Sequence, residues 1–287
     1  AELGAELNFN HNRQKARERL RVGYVSPDFR FHSVAVAFKG ILDNHDTSRI
    51  ETYGYALHSG GDDHMTEALR ERFHGFHKLV DNSFQQSAKL IHDDEIDILI
   101  DLAGHTKGGQ LSLLALRPAP IQVHYLGYSA TVGAKYLDYL ITDHHQVPPE
   151  QRPFFTEHLV YLPDTFMATQ RAPVAMETPS RADCGLPDAA FVFVNFNTHY
   201  KIEPKIFAIW MRLLRKLPNA VLWLIRGTKS SAGNLRREAA ARGVAPDRLI
   251  FADKLPHPNH LARLPLADLA LDAYRAVENT YMSTFQM

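Results

Sequence analysis

Lys201 stands in the stretch NFNTHYKIEP, after an alternating apolar run and three residues ahead of Pro204, which opens a long amphipathic pattern. A lysine beside the positive end of a helix is unfavourable unless an anion comes to lie between them. Two readings therefore stand for Lys201, a solvated cation near a helix start or a phosphate ligand. Other residues of similar chemistry recur after the apolar runs: Ser26, Asp28, Arg30 and His32, then GHTKGG at 104–109, GYSATVG at 127–133, RGTK at 226–229 and the stretch from Lys254 to His260. Lysines, glycine-flanked amides and helix starts together can hold phosphate without a metal. Neither glycine-rich turn matches a dinucleotide fingerprint or a Walker loop. An imidazole is a side chain able to act as a general base, so His32 is a candidate for that role. His257 and His260, three residues apart, could suggest a metal pair, but no third ligand follows at ligand spacing, so no metal site is expected. The acidic run Asp93, Asp94, Glu95 and Asp97 reads as a solvated turn between a helix and a strand.

The elements that must position these groups alternate along the chain. LRVGYVS, IETYGYALHS, FHKLV, IDILIDLAG, IQVHYLGY and YLDYLITD read as strands, separated by segments with apolar residues near a period of 3.6. That pattern describes a doubly wound parallel sheet, whose ligands bind beyond the carboxyl ends of the strands. A Pro-, Thr- and Ala-rich stretch then reads as a linker, and FVFVNFN starts a second βα series. In its first helix Ile206, Phe207, Trp210, Leu213, Leu214 and Leu217 share one stripe. The expected organisation is a connecting helix over 1–19, a first Rossmann-like lobe over 20–165, a linker over 166–190 and a second, partial lobe over 191–287.

Composition narrows the function. The 287 residues carry 32 basic and 32 acidic side chains, so no global field draws the chain to nucleic acid or an anionic membrane. One cysteine, Cys184, excludes a disulfide framework and a cysteine zinc cage, and it suits a reducing cytoplasm. No run of apolar residues is long enough to span a bilayer, and the opening residues lack the apolar core of a signal peptide. A cytoplasmic location is expected.

The blocks LRVGYVSPDFRFHS, ALRPAPIQVHYLGYSATVGAKYLDYLITD, HLVYLPDTF, GLPDAAFVFVNFNTHYKIEP and PNAVLWLIRG, in this order, resemble the catalytic region of O-GlcNAc transferases of glycosyltransferase family 41, bacterial type. The resemblance runs from about Leu20 to Asp272. It implies the two-lobed B-type fold and an inverting, metal-independent transfer of N-acetylglucosamine from UDP-GlcNAc to Ser or Thr hydroxyls of proteins. By motif, Lys201 matches the lysine that contacts the diphosphate, and His32 an active-site histidine. His105 is a possible further active-site residue. Gly127, Tyr128 and Thr131 fall in the loop that meets the donor, Thr198 replaces a donor-contacting glutamine, His260 matches a histidine that packs on uracil, and His257 stands where the animal enzymes have a ribose-contacting lysine. Ala130 replaces a glycine of the same loop. The implied partners are a UDP-sugar and a protein or peptide acceptor, with no nucleic acid, membrane or cofactor.

After Asp272 the family continues into a His-Thr-Thr segment, whereas this chain reads AYRAVENTYMSTFQM. The comparison with the family thus implies a second lobe that is incomplete, with apolar strands such as VLWLI under-covered, and the family's tetratricopeptide region is expected to be absent from this chain. The alternative is a catalytically inactive remnant that binds nucleotide-sugar or serves as an interaction module. A nucleotide-sugar epimerase of similar fold finds no support in the quoted blocks.

Overall fold

The computed structural model describes residues 9–11, 17–168 and 172–273. The helix expected over 1–19 falls largely outside them, as does the segment 274–287. The chain divides into two compact units, 1–170 and 171–287.

In the first unit the elements run β1 (Leu20–Ser26), α1 (Ser33–Asp43), β2 (Ile50–Ala56), α2 (His64–Arg70), β3 (Gly75–Lys78), α3 (Phe84–Asp93), β4 (Ile98–Asp101), α4 (Leu111–Ala115), β5 (Ile121–His124), β6 (Tyr139–Thr142) and β7 (His158–Tyr161). All pairings are parallel, in the order β3-β2-β1-β4-β5-β6-β7. Residues 22–26 of β1 are buried on both faces, as a central parallel strand requires. Helix starts are written in the sequence: Asp63 with Thr66, and Ser83 with Gln86, close reciprocal capping boxes on α2 and α3. The strand order reverses between β1 and β4, so the loops after these strands flank the switch point where open α/β sheets bind ligands. β7 falls in HLVYLPDTF, a stretch not among the strands read from the sequence. Its exposed edge residues His158 and Val160 carry no buried alternation.

The acidic run at the opposite, amino end of β4 is only partly a solvated turn. Asp94 accepts from the Tyr55 hydroxyl at 2.7 Å, and Asp97 from the Arg21 amide at 2.8 Å.

The second unit runs β8 (Phe191–Asn195), α5 (Pro204–Lys216), β9 (Ala220–Ile225), α6 (Lys229–Ala241), β10 (Leu249–Ala252), α7 (His257–Arg263) and β11 (Leu269–Ala270), with a parallel sheet in the order β10-β9-β8-β11. Phe207, Trp210, Met211 and Leu214 of α5 pack with Leu222, Leu224 and Phe251 on one face. Leu217 lies past the end of α5 and is exposed.

The expectation of an under-covered VLWLI strand is wrong, since all six residues of β9 are buried. On the second face Leu186, Phe196 and Leu266 pack with Val192, Val194, Val221 and Trp223. The Arg263 guanidinium lies over the Phe196 ring at 4.6 Å and over Trp223 at 5.6 Å, so a helix side chain rather than another strand closes this face.

The stretch between the units is anchored on each side. Phe166 donates its amide to Asp143 at 2.5 Å and accepts from the Tyr125 hydroxyl at 2.6 Å. Arg181 donates to the carbonyls of Asp188, Ala190 and Leu266 and to the Asp268 carboxylate.

Candidate functional site

Two clusters form, one at the carboxyl end of each sheet. In the first unit β1 ends at Ser26, whose hydroxyl accepts from the Asp28 amide at 3.0 Å, turning the chain toward His32. His32 is the N-cap of α1: its Nδ1 accepts from the Val34 amide at 3.3 Å and lies 3.5 Å from Asp28 Oδ2. The Asp28 side chain is largely buried, and Arg30 Nη2 lies 3.9 Å from its other oxygen. Burial pushes the Asp28 carboxyl up, against the pull of His32, Arg30 and His58.

Next to it, the loop after β5 is fixed from below. The chain passes through Leu126 at φ 71°, a left-handed conformation that is strained for a leucine, and then through Gly127. A Cβ at Gly127 would come 2.0 Å from the Leu102 carbonyl oxygen, so only glycine fits between this loop and the one after β4. His124, fully buried, reaches the Tyr128 carbonyl with Nε2 at 2.5 Å and the buried Asp101 carboxylate with Nδ1 at 3.2 Å. Asp101 also accepts the amides of Ala103 and Gly104. His105 Nε2 lies 3.0 Å from the Val132 carbonyl oxygen, and its ring meets Tyr128 edge-on.

The Thr131 hydroxyl, expected to face a donor, donates a hydrogen bond to Glu157 at 2.6 Å. Glu157 also accepts from the Val132 amide at 2.7 Å. Burial works against the Glu157 charge, but the bonds from Thr131, Val132 and Thr156 outweigh it and hold the carboxyl below its ordinary value.

In the second unit the turn after β8 carries Thr198 and Lys201. Asn195 is buried, donates to the Leu271 carbonyl at 2.7 Å and accepts from the Asn197 amide at 3.2 Å. A single 3-10 turn, His199–Lys201, follows, and α5 begins three residues later at Pro204. Lys201 is only 9% exposed, so it is not a solvated cation. A buried ammonium needs compensating partners.

His199 is a positioning residue that sequence reasoning misses. Its ring nitrogens meet the Ile225 carbonyl and the Ser231 hydroxyl, both at 2.8 Å, tying the Lys201 turn to the end of β9 and the start of α6. A Cβ on Gly227 would come 2.6 Å from His199 Nδ1, so the glycine of RGTK makes room for this ring.

His257 and His260 both lie on α7. The His260 ring packs against Phe196 with centroids 5.1 Å apart, and its Nδ1 accepts from Arg263 at 2.8 Å. That bond leaves the proton on Nε2. Burial first, then Arg263 and His257, bring the His260 pKa down to about 4, so the ring is neutral at pH 7. A neutral flat ring at the sheet edge suits a nucleobase better than a phosphate. Among the described residues no group of three or more His, Cys, Asp or Glu gathers to hold a metal, and no helix is long and apolar enough to cross a membrane.

The structure thus brings His32, His105, Gly127 and Tyr128 to the loops at the carboxyl end of the first sheet, and Thr198, Lys201, His257 and His260 to those of the second, whereas Thr131 lies farther along its loop, bonded to Glu157 just ahead of β7. Asp101, His124, Glu157 and His199 hold these groups in place and are not singled out by the sequence.

Comparison with known proteins bears on this arrangement. The family model described as glycosyl transferase family 41 matches residues 4–176 and 167–282. The chain is 36% identical over 266 residues to the probable UDP-N-acetylglucosamine–peptide N-acetylglucosaminyltransferase SEC of Arabidopsis thaliana, covering 91% of this chain and 27% of that protein. To the UDP-N-acetylglucosamine–peptide N-acetylglucosaminyltransferase of Caenorhabditis elegans it is 27% identical, covering 89% of this chain and 32% of the relative. The chain therefore spans about a third or less of the length of these relatives. Among solved structures, a mutant O-GlcNAc transferase from Thermobaculum terrenum superposes with a TM-score of 0.80 at 32% identity, covering 91% of this chain and 49% of that one. A UDP-N-acetylglucosamine 2-epimerase from Listeria monocytogenes, described as putative, matches with a TM-score of 0.52 at 9% identity, covering 88% of this chain and 73% of that one, which shows the fold alone.

Proposed function

The chain belongs to glycosyl transferase family 41, and on that premise we propose that it transfers N-acetylglucosamine from UDP-GlcNAc to Ser or Thr hydroxyls of a protein or peptide. The transfer inverts the anomeric carbon and uses no metal. What carries the reading is Lys201, a lysine only 9% exposed, placed between the carboxyl end of β8 and the start of α5. A phosphate at a helix start gains from the amide dipoles and from the ammonium together.

In this account the acceptor oxygen attacks the anomeric carbon as the bond to the diphosphate breaks, and the electron pair leaves with UDP. The charge that develops there is met by Lys201 and the first turn of α5, the role a divalent cation plays in other phosphate chemistry. His260 offers a neutral ring to the uracil, His257 and Thr198 contact the rest of the donor, and the loop from Gly127 to Thr131 receives the sugar. His32, with His105 near the same loop, supplies the imidazole beside the reacting hydroxyl.

The test is mass spectrometry of Ser/Thr peptides incubated with UDP-GlcNAc and this chain in a chelator, with Lys201→Ala as the control. A gain of one N-acetylhexosamine that the chelator leaves intact and Lys201→Ala abolishes supports the reading. UDP binding with no transfer favours the inactive nucleotide-sugar-binding module instead.

A further inference from the structure

The inference concerns Asp28 and rests on His32 acting as the active-site imidazole. Two contacts make opposite demands on one nitrogen of His32. The Val34 amide, 3.3 Å from Nδ1, needs a lone pair there, whereas an ionised Asp28 carboxylate, 3.5 Å away, needs an N–H. A neutral imidazole carries one proton, so the contact that prevails decides whether Nε2 offers a lone pair or a hydrogen.

We propose that Asp28 is a positioning residue that holds His32 as the Nδ1–H tautomer, leaving the Nε2 lone pair to take the proton of an acceptor hydroxyl. An N–H donated to a carboxylate is roughly twice as strong as a bond between neutral groups, so an ionised Asp28 outcompetes the cap bond. The turn that carries Asp28 is fixed by its amide on the Ser26 hydroxyl and by the Arg30 amide on its carbonyl at 2.7 Å.

Burial pushes the Asp28 carboxyl up, and the groups around it pull toward the ionised form. Arg30 approaches one oxygen, His32 the other, and His58 is a third charge partner. His58 is 6% exposed, and neither ring nitrogen has a hydrogen-bond partner among the described residues. It directly follows Leu57, whose amide bonds the Ser26 carbonyl at 2.9 Å, so the chain brings it alongside the Asp28 turn.

In the step this serves, the hydroxyl proton passes to Nε2 as the oxygen bonds the anomeric carbon and UDP departs. The resulting imidazolium then keeps its Nδ1–H on Asp28.

The experiment is a long-range ¹⁵N–¹H correlation spectrum of histidine-labelled chain at about pH 8.5, where an ordinary imidazole is neutral. His32 is assigned from the signal lost in His32→Gln. The expected pattern is Nδ1–H in the unsubstituted chain and Nε2–H in Asp28→Asn, whose amide donates to Nδ1 instead. Transfer by Asp28→Asn should fall about a hundredfold or more, with UDP affinity unchanged within twofold. An Nε2–H pattern in the unsubstituted chain overturns the proposal even if the variant does not fold, and so does an unchanged tautomer in Asp28→Asn. Absence of transfer by the unsubstituted chain would sink the transferase reading instead, without touching the spectrum.

Discussion

His124 and Asp101 form a buried pair at the carboxyl ends of two adjacent strands, 3.2 Å apart, and the other ring nitrogen of His124 meets the Tyr128 carbonyl at 2.5 Å. The two ring nitrogens face these two acceptors, and a neutral ring has one N–H to donate to either, so this histidine links the loop after β5 to the sheet. Replacing it by leucine leaves a carbonyl and a buried carboxylate short of a partner. His124→Leu should cost about 2–3 kcal/mol in urea unfolding. A loss below roughly 0.5 kcal/mol, the size of an ordinary surface substitution, would show that His124 does not hold this loop.

Gly127 offers a test that separates the two units. A methyl group there would come 2.0 Å from the Leu102 carbonyl oxygen, so Gly127→Ala must displace the loop. Transfer should fall at least about tenfold, a displacement of 1 Å being enough for such losses, while UDP affinity stays within twofold. Equal loss of UDP binding would contradict the assignment of nucleotide to the second unit.

His260 gives a pH dependence of known sign. Its pKa is lowered from 6.5 to about 4, with burial the main cause. Below pH 6.5 the unfolded chain takes up a proton that the folded chain refuses. Stability from this group is therefore complete above pH 6.5 and is lost progressively as pH falls toward 4. An NMR titration should place the His260 midpoint near 4, and His260→Phe should remove its share of the acid loss. A midpoint near 6.5 would show the ring to be solvated and unfit to stack a base.

Much of this site is legible in the sequence because its parts follow strands with strong apolar patterns. LRVGYVS is β1 without adjustment, β9 falls within PNAVLWLIRG, and Lys201, His32 and Gly127 fall beyond strand ends where an open parallel sheet gathers its ligands. The residues that hold them are less visible. Glu157 meets Thr131 across a gap in sequence, and no spacing rule joins them. His124 reads as one more polar position in IQVHYLGY, although a histidine inside an otherwise apolar strand end is a signal that could have singled it out. Leu126 gives no signal, because nothing in its type announces a positive φ. The coverage of β9 by Arg263 escapes an apolar pattern because a guanidinium on two aromatic rings does the work of a hydrophobic side chain.

Lys201 also separates charge from shape. Lys201→Ala should weaken UDP binding in calorimetry by roughly 10- to 100-fold, the size expected for a charge-assisted contact, and Lys201→Arg should restore only part of it because the planar fork does not replace a compact ammonium. Unchanged affinity in Lys201→Ala would remove the diphosphate from this turn.

The most direct measurement is the mass of a Ser/Thr peptide after incubation with UDP-GlcNAc and this chain in excess EDTA. The account predicts one added N-acetylhexosamine per modified hydroxyl, with UDP released in equal amount and no requirement for added metal. Transfer that stops in EDTA and returns with a divalent cation would contradict it, because Lys201 and the start of α5 would then not suffice to carry the charge of the departing diphosphate.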